Sequence, residues 1–168
     1  MTELSPFHYA FVVRDLDLTR DFYINTLGAH EARSDQRWVD FNFFGHQLSA
    51  HLANEYTQPS PSLSLIDGDH IPIPHFGIVL PKVDWKQLSE RLKEKKIEFA
   101  LEPKLRFKNT PGEQWSMFLY DPLMNGIEFK SFENTELILP KSEQLPVDRY
   151  KRGESVRGII KEVDSCIN

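Results

Sequence analysis

The sequence contains itself twice. The segment from His8 to Asp17 (HYAFVVRDLD) and the segment from His75 to Asp84 (HFGIVLPKVD) share an opening histidine, an aromatic, a small residue, an apolar run and a closing aspartate, at an offset of 67. Further along, Trp38, Phe41, Phe43 and Leu52 match Trp115, Phe118, Tyr120 and Phe129 at an offset of 77. The change of offset places ten extra residues in the second copy, and the polar segment 103–112 is where they fit. A duplicated chain folds as two similar modules. A module of about 50–60 residues buries too little apolar surface to stand alone. The copies are therefore expected to pair, within the chain or across a dimer.

Each copy reads as β-α-β-β-β. Residues 7–13 and 76–80 are aromatic and β-branched runs, which predict strands. Asp17 and Asp84 follow at positions suited to capping a helix, since a carboxylate accepts from the free N–H groups of the first turn. Leu18, Phe22 and Leu27 supply an apolar stripe to the first helix, which Gly28 ends. Trp85, Leu88 and Leu92 supply the second stripe, and the charges over 90–96 form its solvated face. Residues 38–44 and 47–53 read as a hairpin around Gly45 and His46, and 114–120 and 126–132 as its counterpart. Residues 54–70, with Pro59, Pro61 and Gly68, read as a polar connector or lid. The polar tail from Glu133 onward carries a short helix candidate over 156–163.

The duplication turns scattered histidines into a geometric expectation. His8 and His75 occupy equivalent places on the first strands, and the 77-residue offset makes His51 and Glu128 equivalent on the last. Residues two apart share a strand face, so small neighbours (Ala10, Gly77, Ser49, Ala53, Gly126) lie beside these four and leave room for an ion and a ligand. Two imidazoles and a carboxylate hold a divalent ion and leave coordination positions open. His51 is either a fourth ligand, an acid/base or a hydrogen-bonding partner of substrate. Taken one at a time, each histidine is as well explained by a hydrogen-bonded core position, and Glu128 by an ion pair with its neighbour Lys130. His46 is expected to be structural, and His30 and His70 exposed. Cys166 lacks any activating arrangement.

The first strand, the segment from Asp17 to Gly28 (DLTRDFYINTLG) and the segment from Asp121 to Phe129 (DPLMNGIEF) together resemble the vicinal oxygen chelate superfamily, over about residues 7–132. That superfamily includes glyoxalase I, bleomycin- and fosfomycin-resistance proteins and extradiol dioxygenases. The resemblance implies an α+β fold of two paired βαβββ modules in a curved eight-stranded mixed sheet. The expected domain spans 6–132, with modules at about 6–55 and 73–132, a linker at 56–72 and a C-terminal extension at 133–168. Carried over, the ligand positions fall on His8, His75 and Glu128, and the fourth-strand glutamate of glyoxalase I falls on His51. Losing that carboxylate leaves the two-histidine, one-carboxylate set that suits Fe(II) and O₂ chemistry, with Zn, Ni or Mn as alternatives. The resulting expectation is a metal-dependent enzyme of dioxygenase type acting on a small substrate chelated through adjacent oxygens. A glyoxalase-like lyase or isomerase, a thiol transferase and a non-catalytic small-molecule binding protein are the other readings. Asn42, Arg106 and Gln114 are substrate-shell candidates, Arg106 through a substrate carboxylate.

Composition narrows the partners. Twenty Lys and Arg against 25 Asp and Glu, a net charge of −5, offer no cationic surplus for phosphates, so no nucleic acid is expected. No run approaches the ~20 apolar residues that span a bilayer, and the N-terminus lacks the basic and apolar regions of a signal peptide. With one cysteine, the chain suits a reducing compartment, and a cytoplasmic protein is expected, with a homodimer as one arrangement open to it.

Overall fold

A computed structural model of the chain describes residues 5–53, 55, 62–134, 136 and 138–139. The chain divides into a unit of residues 1–138 and a remainder from 139 onward. The helix expected at 156–163, and Cys166, lie outside the described residues. In chain order the elements are β1 (His8–Val13), α1 (Leu16–Arg20), β2 (His30–Asp35), β3 (Trp38–Phe43), β4 (His46–Leu52), β5 (Ser62–Ile66), β6 (Asp69–Ile73), β7 (His75–Val79), α2 (Lys82–Glu94), β8 (Leu101–Arg106), β9 (Gln114–Tyr120) and β10 (Gly126–Ser131). A π-helical turn, Asp21–Thr26, continues α1. The duplication is plain in the topology. One four-stranded sheet runs β1-β4-β3-β2 and the other β7-β10-β9-β8, each with a parallel pair between its first and last strands. The eight module strands thus fall into two mixed sheets, neither closed into a barrel.

Strand alternation decides which face each sheet buries. Tyr9, Phe11 and Val13 of β1 share a face with Leu48 and Ala50 of β4 and with Val39 and Phe41 of β3. In the second sheet Phe76, Ile127, Phe129, Met117 and Leu119 do the same. These faces and both helices enclose one core shared by the modules. Tyr9 meets Phe76 with ring centroids 4.8 Å apart, and Phe43 meets Phe129 at 6.0 Å. Polar ties cross the same junction: the Tyr23 hydroxyl donates to Asp121 Oδ2 (3.1 Å) and Arg91 Nη2 to the Leu27 carbonyl (2.8 Å). The opposite, polar faces carry His8, His51 and His75.

Several local expectations are corrected. Asp15, not Asp17, caps α1, its Oδ1 accepting from Asp17 N–H (2.8 Å) and Leu18 N–H (2.9 Å). The buried side of α1 and its continuation is Leu16, Thr19, Tyr23 and Leu27, while Leu18 is exposed. In α2, Pro81 takes the N-cap position and Asp84 lies in the first turn, while Trp85, Leu88 and Leu92 are buried as expected. The connector is not loop throughout: β5 and β6 pair as an antiparallel hairpin around Asp67 and Gly68, both at positive φ. Residues 103–106, assigned to the insertion, belong to β8, which leaves the extra length after Arg106.

Candidate metal centre

On the polar face of the second sheet, β7 and β10 present His75 and Glu128. They lie diagonally on the parallel pair, because Glu128 faces Gly77 and Gly126 faces His75. Close approach requires Gly77, where a Cβ would collide with the Glu128 carbonyl oxygen, and makes Gly126 a tight fit, its Cβ coming to 3.1 Å from His75 Cβ. The His75 ring is fixed from two sides. It stands edge-on to Phe118, with centroids 5.0 Å apart, and its Nδ1 lies 2.7 Å from the Pro72 carbonyl oxygen. A carbonyl only accepts, so Nδ1 carries the proton and donates. The other nitrogen, Nε2, points at Glu128 Oε2 from 3.3 Å.

Glu128 is buried and fully engaged. Its Oε1 accepts from the Ser116 hydroxyl (3.1 Å), which takes a bond from Gln114 Nε2 (3.3 Å), and its Oε2 receives Lys130 Nζ at 2.9 Å. Burial pushes the Glu128 carboxyl up, but the His75 and Lys130 interactions outweigh it and hold the group below the usual glutamate range. The hydrogen bond with Glu128 raises His75 above its ordinary value, burial opposes this, and the Pro72 carbonyl reinforces it. With Nδ1 committed, an Nε2 aimed at a carboxylate needs a cation between them, a proton or a metal. Two ligand atoms on one ion at about 2.1 Å lie ~3.0–3.4 Å apart for angles of 90–109°, and the observed 3.3 Å fits. A second oxygen held by Ser116 and an imidazole oriented by a carbonyl are the supports metal ligands normally have.

On the polar face of the first sheet His8, Arg33, Trp38, Asp40, Gln47, Ser49 and His51 line a cleft of about 400 Å³. His8 and His51 are both exposed there. Beneath them lies a buried carboxylate that sequence reasoning missed. Asp40 accepts from Ser49 Oγ (2.5 Å), Gln47 Nε2 (3.0 Å) and Arg33 Nη2 (2.9 Å). Burial raises its pKa, and these three donors overcome burial to leave it below the usual aspartate range.

One chain therefore does not gather His8, His51, His75 and Glu128. Among the described residues no three His, Cys, Asp or Glu side chains are placed to hold a common ion. The expected equivalence of His51 and Glu128 is also corrected. Ser49 faces Ala10 as Glu128 faces Gly77, so Ser49 is the counterpart of Glu128 and His51 that of Lys130, an offset of 79 rather than 77. The tryptophans that suggested 77 stand on opposite faces. Trp38 lies across from His51 in the cleft, whereas Trp115 lies across from Ser131 and packs near Trp85, centroids 5.7 Å apart.

The substrate-shell candidates separate. Gln114 is buried beside Ser116 in the second cup. Arg106 is buried, its Nε 3.3 Å from Asp69 Oδ2 and its Nη2 donating to the Ile66 carbonyl (2.7 Å). Asn42 is exposed and its Oδ1 accepts from Gly45 N–H (2.9 Å), a turn contact. His46 is structural, Nδ1 accepting from Phe7 N–H (2.9 Å), and His30 and His70 are exposed. Ser116 was legible in principle, two residues from Gln114 on the same face. Asp69 carried no signal, because its role depends on how the hairpin folds back on β8.

Residues 5–129 match the model of the Glyoxalase/Bleomycin resistance protein/Dioxygenase superfamily, and the chain belongs to that superfamily. A glyoxalase/bleomycin resistance protein/dioxygenase from Alicyclobacillus acidocaldarius is 31% identical with a TM-score of 0.69, over 82% of this chain and 99% of that one. The fold is shared with the fosfomycin resistance protein FosX of Listeria monocytogenes (21% identity, TM-score 0.58, 83% of this chain and 99% of that one). A glyoxalase/dioxygenase from Nostoc punctiforme is similar in the same way (20% identity, TM-score 0.58, 76% and 90%). No curated protein matches the sequence. Among the described residues no helix is long and apolar enough to cross a membrane.

Proposed function

We propose that the protein is a metal-dependent enzyme of dioxygenase type whose centre is shared between two copies of the chain. His75 and Glu128 of one copy hold the ion, and His8 of a second copy completes the two-histidine, one-carboxylate set. The observation that carries the reading is His75 itself. Its Nδ1 is tied to the Pro72 carbonyl and its Nε2 is aimed at a buried carboxylate oxygen 3.3 Å away. The half-sites lie on the polar faces of two sheets whose other faces share one core. A second copy of the chain would cover both. The counterpart of Glu128 in the first cup is Ser49, held by Asp40, so the second carboxylate of a glyoxalase I-type set is missing there.

A bound Fe(II) would supply Lewis acidity toward two adjacent substrate oxygens and an open position for O₂. The chain's own residues do the rest. Ser116 and Gln114 fix the carboxylate, Phe118 and Pro72 fix the imidazole, and His51, which lines the same cleft as His8, would take a proton from a substrate hydroxyl through a ring nitrogen.

Metal analysis joined to an oxygen electrode tests this. The expected result is about one iron per shared site and O₂ uptake with a catechol. Nickel or zinc with turnover of a glutathione hemithioacetal, or ligand binding by protein that takes up no metal, would overturn it.

A further inference from the structure

Three cations lie on the polar face of the second sheet: Lys104, Arg106 and Lys130. Two share one counter-ion, since Lys104 Nζ lies 2.6 Å from Asp69 Oδ1 and Arg106 Nε 3.3 Å from Asp69 Oδ2. Lys130 differs. Its ammonium sits 2.9 Å from Glu128 Oε2, the same oxygen that His75 Nε2 approaches at 3.3 Å. Among the described residues Glu128 is its sole ion-pair partner. The residue proposed to ligate the metal is thus the one that neutralises Lys130.

Once Glu128 gives its charge to an ion, Lys130 is left beside that ion without a counter-charge, in a cup whose other cations are already paired. A fixed ammonium next to a divalent cation is unfavourable unless an anion lies between them. We infer that Lys130 is a specificity residue. Without metal it occupies the carboxylate; with metal it is released to bind an oxyanion, so the substrate is a small molecule carrying a carboxylate close to its two chelating oxygens. This rests on the metal-centre reading above and deepens it. Lys130 is half-buried, and its ammonium is held at the Glu128 carboxylate.

The test uses the full chain, Co(II) alone, and then two probes on the Co(II)-loaded protein, catechol and 2,3-dihydroxybenzoate, whose carboxylate is ortho to the chelating pair, with binding rather than turnover as the readout. Lys130→Met removes the competing ammonium and should tighten Co(II) binding about tenfold. Wild type should prefer the carboxylate-bearing probe by about tenfold. Lys130→Met should lose that preference, and Lys130→Arg should retain it. If Lys130→Met does not fold, Lys130→Gln serves the same purpose. Equal or weaker Co(II) binding in the variant, or an undiminished preference for the acid, overturns the role of Lys130 alone and reduces it to a structural ion pair. Wild type that takes up no Co(II) overturns the metal centre and this inference together.

Discussion

A centre divided between two molecules makes a quantitative demand that a centre within one molecule cannot meet. His8→Ala and Glu128→Ala each remove one of three protein ligands, and neither variant alone should retain stoichiometric metal. The two lesions lie in different half-sites, on β1 of one sheet and β10 of the other. When the variants are mixed in equal amounts and allowed to exchange subunits, about half of the dimers are heterodimers by random pairing. Each heterodimer has one site with both lesions and one with none. Metal content, read by elemental analysis after gel filtration, should therefore recover to about a quarter of the wild-type value. The same lesions mixed as His75→Ala with Glu128→Ala should recover nothing, because both fall in the same half-site. If tagged heterodimers form and the first mixture stays at the level of its parents, the shared centre is refuted. Recovery by the second mixture would refute the assignment of His75 and Glu128 to one half-site.

His51→Ala should keep wild-type metal content and lose about 10²–10⁴-fold in turnover, as removal of an acid/base group does; equal losses of metal and turnover would make His51 a ligand. Gly77→Ala places a Cβ against the Glu128 carbonyl oxygen and should cost about 1–3 kcal/mol in urea denaturation, with loss of metal; an unchanged midpoint would mean that β7 and β10 can separate freely. In chelator-treated protein, His75 is raised and Glu128 lowered from ordinary values of 6.5 and 4.5. The His75 contribution to stability is complete below its unfolded pKa and is lost as pH rises through its folded value. The Glu128 contribution is complete above its unfolded pKa and is lost as pH falls through its folded value. The stability advantage of wild type over His75→Gln should thus shrink as pH climbs past about 6.5, and an advantage that grows there would contradict the ion pair.

Much of this was legible along the chain. The duplication, the βαβββ order and the apolar faces of β1, β7 and β10 follow from strand periodicity, which neighbours in sequence impose. The stripe of α2 was readable because Trp85, Leu88 and Leu92 repeat at helical spacing, whereas α1 was misread because Asp15 competes with Asp17 for the cap and Leu16, two residues before Leu18, takes the buried place. The hairpin β5–β6 also had its signal, with apolar and polar residues alternating to either side of Asp67 and Gly68.

Register was a different matter. The assumed offset for β10 was wrong by two residues, which preserves strand parity, so Glu128 fell on the correct face while its counterpart was mistaken for His51 instead of Ser49. The offset for β9 was wrong by one, and there Trp38 and Trp115 exchanged faces. Only the folded chain decided that His8 and His75 belong to separate cups and that Pro72, Ser116 and Lys130 converge on the second. Side-chain periodicity is a property of one strand. Which residues meet across strands, and which faces turn away from each other, is settled by how the two sheets close on a common core.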